Sequence, residues 1–390
     1  MDTIFRQAME NTQMMGKLPE RKDDSFGEAK ILVVGCGGAG NNTINRLAHI
    51  GVKGCELVTV NTDKQHLAYV KADKKILIGY EETKGLGAGG DPSVGERAAI
   101  EAKPALKDVL QDADMVFVTT GLGGGTGTGS APIVADVAKS MGAVVVGAVT
   151  MPFKIERGRI GKAKVALTKL RKSCDSVVVV DNNKLLSYCP DVPMEQAFGV
   201  ADEVLSRMVK GITETISSPS LVNLDFADVR SVMKEGSGRG IAMIGLGESD
   251  SRNRAEEAVM HALENPLLDV DYRGAIGALV HITGGEDLSL AESNLIGEMA
   301  TNYLSKDANV IWGARIDPDF NGRIQVMVIM TGVSSPDILG PDDIQIPRRI
   351  KNHRGGSIPS YAPMPKLAQA RGPEKRPEGI IANLGIDYII

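Results

Sequence analysis

Aromatic residues are scarce in this chain: they make up 4% of 390 residues, with a single tryptophan. Its cores must therefore be aliphatic, built from a 43% hydrophobic content in a chain long enough for two domains. Positive charge is not in excess. The net charge of −5 and pI near 5.7 leave no basic field of the kind a nucleic-acid partner requires, so none is expected. No apolar run approaches the roughly 20 residues of a membrane span, and the N-terminus carries no apolar signal core. The expectation is a cytoplasmic protein with no direct membrane insertion. The four cysteines (Cys36, Cys55, Cys174, Cys189) show no paired spacing and the five histidines form no cluster, which argues against a disulfide framework or a protein-held metal. Cys36, inside a glycine turn, reads as small-residue filler rather than as a nucleophile. The Gly-Lys-Ser/Thr ending of a Walker loop is also missing, which excludes the common P-loop fold.

What the chain has in abundance is glycine, and it is concentrated. The run Gly123, Gly124, Gly125, Thr126, Gly127, Thr128, Gly129, Ser130 follows the apolar stretch Met115 to Thr120 and precedes a helical pattern. Glycines in a strand-to-helix turn leave backbone N–H groups free to converge on an anion, and the two threonines and the serine add hydroxyls. Pro132 suits the first turn of the helix, whose positive N-terminus would face the same phosphate. A flexible linker would be polar on both sides, and this run is not. Two further glycine loops come earlier. Gly35 to Asn42 follows the first strand and formally satisfies G-x-G-x-x-G, with Asp63 some twenty residues on; alone it suggests a dinucleotide-dependent dehydrogenase. Gly85 to Gly90 again leads into a helical pattern. Three such loops exceed what one pyrophosphate requires and suit a triphosphate.

The chain divides by texture. Residues 1–28 read as a polar extension. Residues 29–193 alternate buried strands (Ile31–Val34, Leu57–Val60, Ile76–Ile78, Met115–Thr120, Ala143–Val149, Val177–Val180) with helices, the pattern of an α/β, parallel doubly wound sheet. A long helix follows over 194–217, apolar over so wide a face that it should pack on more than one side. Residues 218–332 read as a smaller α+β domain with strands near 241, 278, 309 and 324 and helices at about 251–264 and 288–304. Residues 333–390 are rich in Pro, Gly and charge and read as a disordered tail ending in an apolar docking peptide, Gly385 to Ile390.

The loops Gly35 to Asn42, Asn61-Thr62-Asp63, Gly85 to Gly90 and Gly123 to Gly129 resemble those of the tubulin/FtsZ family of self-assembling GTPases, and within it the FtsZ branch in archaeal form. The resemblance runs from about Lys30 to Thr331. It implies a tubulin/FtsZ-like fold and GTP/GDP as ligand, with Mg²⁺ carried on the phosphates. The implied nucleotide contacts are Gly37, Gly38, Ala39, Gly40, Asn41, Asn42 and Asp63 from the first two loops; Gly87, Ala88 and Gly89 from the third; and Gly123, Gly124, Gly125, Thr126, Gly127 and Thr128 from the signature. Glu156 takes the ribose position. The family's arginine position holds Ile160 here, with Arg159 one place earlier. Phe198 and Asp202 match the pair that stacks on guanine and accepts from its N1 and N2; for Phe198, simple core packing is the alternative. Asn223, Asp225 and Asp228 match the catalytic loop, where two carboxylates three residues apart can orient an attacking water. As plain helix caps, Asp225 or Asp228 would be ordinary.

A helix of about 23 residues is roughly 34 Å long. With guanine at its start, the Asp225/Asp228 loop at its far end cannot reach the same molecule's γ-phosphate and must serve a neighbour's. Such a head-to-tail contact does not close on itself and propagates into a filament. The leading expectation is thus a GTPase that polymerises with itself, hydrolyses GTP between subunits and acts in a mid-cell division ring, its tail recruiting a membrane anchor or other division protein. Two alternatives stand beside it: a paralogue that assembles with GTP but serves cell shape or regulation, and a nucleotide-binding oxidoreductase built on the first loop.

Overall fold

The computed structural model describes residues 29–188, 191, 193–217, 220–222, 224–235, 241–264, 270–333 and the backbone of 388–389. The expectations for residues 1–28, for Asn223 and for nearly all of the tail fall outside the described residues.

Every residue of β1 (Ile31–Cys36) is buried, because an aliphatic strand in the middle of a parallel sheet is covered on both faces. Beside it lie β2 (Cys55–Asn61) and β3 (Lys74–Leu77) on one flank, and β4 (Met115–Gly121), β5 (Val144–Met151) and β6 (Ser176–Asp181) on the other. These six are parallel in the order β3-β2-β1-β4-β5-β6, so the winding reverses between β1 and β4. That reversal opens a crevice at the carboxyl ends of the strands, where α/β sheets bind ligands. Helices α1 (Gly37–Ile50) and α6 (Thr126–Ser140) spring from β1 and β4 at that crevice. Around them pack α2 (Lys64–Tyr69), α3 (Tyr80–Thr83), α4 (Pro92–Glu101), α5 (Lys103–Leu110), α7 (Arg157–Ser173) and α8 (Asn182–Tyr188). Pro132 does not open α6 as the sequence suggests. The helix begins at Thr126, so the glycine run itself forms the first turn and Pro132 lies in the interior.

The long helix α9 (Met194–Ser217) has 24 residues and advances about 36 Å. Ala201, Leu205, Met208, Val209 and Ile212 are buried along it. It contacts α1 and β5 as well as β7 (Ile241–Ser249), packing on more than one side. After it come α10 (Phe226–Glu235), α11 (Arg254–Leu263), β8 (Gly277–Gly284), α12 (Leu290–Thr301), β9 (Asn309–Ile316) and β10 (Ile324–Val333). β10 runs antiparallel between β7 and β8, and β9 is parallel to β8 at the edge. The two textures of the sequence form one continuous sheet. β6 and β7 are joined through the single pair Val177↔Ile241, a link that composition does not announce. At the other edge Tyr388–Ile389 runs parallel to β3.

Candidate functional site

The three glycine loops meet. An atom at the Cβ position of Gly37, whose φ is +69°, would lie 2.6 Å from the backbone nitrogen of Gly127, so the first and signature loops touch at a point only glycine permits. Gly125 meets the third loop in the same way, 2.9 Å from the Cβ of Ala88. Asp63 bridges to Leu86, Gly87 N–H donates to Thr62 O at 3.2 Å, and the hydroxyls of Thr62 and Thr126 lie 2.6 Å apart. Asp63 is therefore structural here: its carboxylate caps α2 by accepting from His66 N–H at 3.0 Å. This removes the acidic ribose contact that a dinucleotide reading of the first loop requires.

The signature glycines divide their labour. A Cβ at Gly127 would strike Cys36 O at 2.6 Å, and one at Gly129 would strike Pro92 O at 2.1 Å, so these two let α6 seat against β1 and α4. Gly124 has nothing within 4 Å and is open to a ligand. Thr128 turns inward, its hydroxyl accepting from Gly123 N–H at 2.9 Å, which shapes the loop from behind. Ser130 is wholly buried. Cys36 beside it is also buried, which pushes its thiol up to about 12 and fits a filler role.

Above these loops is a cavity of about 800 Å³. Gly38, Ala39, Asn42, Gly124, Gly125, Thr126 and Gly127 form its floor; Glu156, Arg159, Phe198 and Asp202 form its far wall. Gly37, Gly40 and Asn41 lie beneath the floor, and Gly87, Ala88, Gly89 and Gly123 buttress it without lining it. Arg159 pairs with Glu156 at 2.5 Å. Phe198 is 41% exposed and meets Phe153 edge to face at 5.5 Å, so its ring is a partly open platform rather than a core side chain. Burial raises Asp202 to about 6, opposed by a hydrogen bond from the Thr43 hydroxyl at 3.0 Å and by the charge of Arg46.

The sequence reading missed part of this wall. Asn45, Arg46 and His49 line the cavity from α1. They follow Asn42 by three, four and seven positions, the spacing of one helical face, and that signal was available. Asn182 also lines it, with its Oδ1 buried and without a partner. It stands directly after β6, at the carboxyl end of a parallel strand.

Asp225 and Asp228 lie elsewhere. Asp225 N–H donates to Asp228 Oδ2 at 3.1 Å while Asp228 N–H donates to Asp225 Oδ1 at 2.9 Å, a reciprocal pair that sets both carboxylates side by side at the start of α10. Two features pin the loop: Val222 pairs with Ala314 of β9, and buried Leu224 fills space left by Gly313. From Phe198 to Ser217 alone the helix α9 advances about 28 Å. Neither carboxylate lines the cavity.

This is a nucleotide-sized crevice on a doubly wound sheet, with a carboxylate pair held a helix-length away. The family model described as Tubulin/FtsZ family, GTPase domain, matches residues 30–190, and that of the FtsZ family C-terminal domain matches 240–334. The chain is 56% identical over 370 residues to "Cell division protein FtsZ 2" of Methanocaldococcus jannaschii, covering 94% of this chain and 92% of that one. A solved "FtsZ dimer, empty" from M. jannaschii superposes with a TM-score of 0.72 at 49% identity, covering 84% of this chain and 91% of that one. A GTPγS-bound CetZ2 protofilament from Haloferax volcanii, at 22% identity and a TM-score of 0.69 over 81% of this chain and 98% of that one, shares the fold. The chain belongs to the tubulin/FtsZ family. It is a GTPase of that family, with the family's fold.

Proposed function

We propose that the protein is a cell-division GTPase that assembles head to tail and hydrolyses GTP between subunits. The observation that carries this is the separation of the cavity, at one end of α9, from the carboxylate pair beyond its other end. In one subunit Phe198 stacks on guanine, Asp202 accepts from its N1 and N2, and Asn182 Oδ1 offers a further acceptor. Glu156 and Arg159 meet the ribose, and the backbone N–H groups of Gly38, Ala39 and Gly124 to Thr126 hold the phosphates. Asp225 and Asp228 of the next subunit orient and polarise the attacking water, with Asn223 beside them. Among the described residues no group of three or more His, Cys, Asp or Glu could cage a metal. That donor set fits a Mg²⁺ ion carried by the β- and γ-phosphates, where it neutralises charge, as such ions usually are.

A head-to-tail contact of unlike surfaces propagates, so filaments follow from the same geometry. The reading places the protein in the cytoplasm at the mid-cell division site, with residues 333–390 docking a membrane anchor or other division partner. No helix among the described residues is long and apolar enough to cross a membrane. Asp228→Ala tests the assignment: GTP binding and filament formation persist while turnover falls by roughly 10² or more. Full turnover in that variant would refute it.

A further inference from the structure

Asn61, buried at the end of β2, has an amide whose orientation the main chain dictates. Its Oδ1 accepts from the backbone N–H groups of Thr62 at 2.9 Å and Asp63 at 3.2 Å. Main-chain donors cannot reverse, so Nδ2 is the end left for other partners. It donates to Asn41 Oδ1 at 3.0 Å and to His66 Nδ1 at 3.3 Å. Asn41 is anchored in turn, its own Nδ2 donating to Gly35 O at 2.8 Å and Gly37 O at 3.1 Å. A ring nitrogen that receives an N–H is the unprotonated one, so neutral His66 carries its proton on Nε2. That nitrogen lies 3.2 Å from Asn42 Oδ1 and donates to it.

One orientation is thus handed from Asn61 through an imidazole to Asn42. Asn42 must turn its carbonyl to His66, and its Nδ2 donors are what remain for the cavity it lines. A reversed Asn42 would offer a carbonyl oxygen to a ligand whose own polar atoms are mostly oxygen acceptors, replacing attraction by repulsion. His66 does not line the cavity itself. Its only tie to the α2 cap is through its backbone N–H, which a change of side chain leaves intact.

We propose that His66 is a positioning residue for nucleotide binding, holding the Asn42 amide with its N–H end toward a phosphate or ribose oxygen. The inference rests on the nucleotide site described above. The test is the affinity of a fluorescent GDP analogue, measured below the assembly concentration, for His66→Leu, His66→Gln, Asn42→Ala and the double variant His66→Leu/Asn42→Ala. Losing one oriented neutral hydrogen bond weakens binding by about 5- to 10-fold. His66→Leu and Asn42→Ala should each show that loss, His66→Gln should recover most of it because its amide can donate in place of Nε2, and the double variant should be no weaker than Asn42→Ala alone. Additive losses in the double variant, or full affinity in His66→Leu when Asn42→Ala is impaired, overturn the proposal by itself. Unchanged affinity in Asn42→Ala overturns the placement of Asn42 on the nucleotide, and the proposal with it. Thermal melting of each variant shows that it is folded, and an equal loss in His66→Gln and His66→Leu also counts against the donor role.

Discussion

Guanine recognition in the proposed site should weaken as the solution is made mildly acidic, because the carboxylate that reads the base is itself poised to protonate. Burial raises Asp202 to about 6, and the Thr43 hydrogen bond and the charge of Arg46 only partly offset it. Base N1–H and N2–H donors need the ionised carboxylate as acceptor, so affinity is retained above that value and lost as pH falls through it. With a single titrating group, the apparent dissociation constant rises about 2-fold at pH 6 and about 11-fold at pH 5, relative to alkaline solution; the latter is about 1.4 kcal/mol. Binding of a fluorescent GDP analogue below the assembly concentration, across pH 5 to 8, measures the effect without filament formation. The nucleotide's own phosphate titrates near the same pH, and Asp202→Asn separates the two. That variant should bind more weakly at pH 8 and lose the Asp202 component of the profile. An inosine analogue, lacking the N2 amine, should lose affinity in the parent and little in the variant. A profile with the same slope in parent and Asp202→Asn would refute the assignment of Asp202 to the base.

Other outcomes follow from the same coordinates. Mixed in equal amounts, Asp228→Ala and a nucleotide-site variant such as Asp202→Ala should regain turnover toward roughly a quarter of the parent rate, as random head-to-tail pairing predicts, and no recovery in copolymers would refute the shared site. A Cβ at Gly313 would lie 2.5 Å from Leu224 Cγ, so Gly313→Ala should displace the carboxylate loop and lower turnover while leaving GDP affinity unchanged. Burial, with the charge of Arg315 adding to it, holds His281 down at about 4 against 6.5 for a free histidine. The unfolded chain then binds more protons between those values, so stability rises with pH across that window by as much as about 3 kcal/mol; chemical denaturation at pH 4.5 and 7 checks it, and His281→Gln should flatten the difference.

The crevice was legible because glycine and aliphatic runs are local signals. Ile31–Val34 and Met115–Thr120 announce buried parallel strands, and the loops after them announce a backbone cradle. How each glycine is used was not legible, because that depends on what folds against it. Gly127 and Gly129 read as phosphate donors beside Gly124, yet they serve helix seating, and Thr128 faces the loop's interior. Asp63 matched a dinucleotide spacing and proved to be a helix cap, since a carboxylate before a helix satisfies its first N–H groups whatever the motif. Asn182 carried no motif at all, and only its position after β6 places it at the crevice. The single pair joining β6 to β7 is likewise invisible in composition, which sees two textures where the backbone forms one sheet.

The reciprocal Asp225/Asp228 pair, held apart from the cavity of its own chain, sets a count as well as a mechanism. A row of n subunits holds n nucleotides and only n−1 complete reaction centres. At one end a filled crevice waits with no carboxylates over it, and at the other a carboxylate pair faces solvent with nothing to cleave. The two ends of a filament are therefore chemically different, turnover per subunit rises with length as (n−1)/n, and short oligomers keep a larger share of their GTP than long ones do.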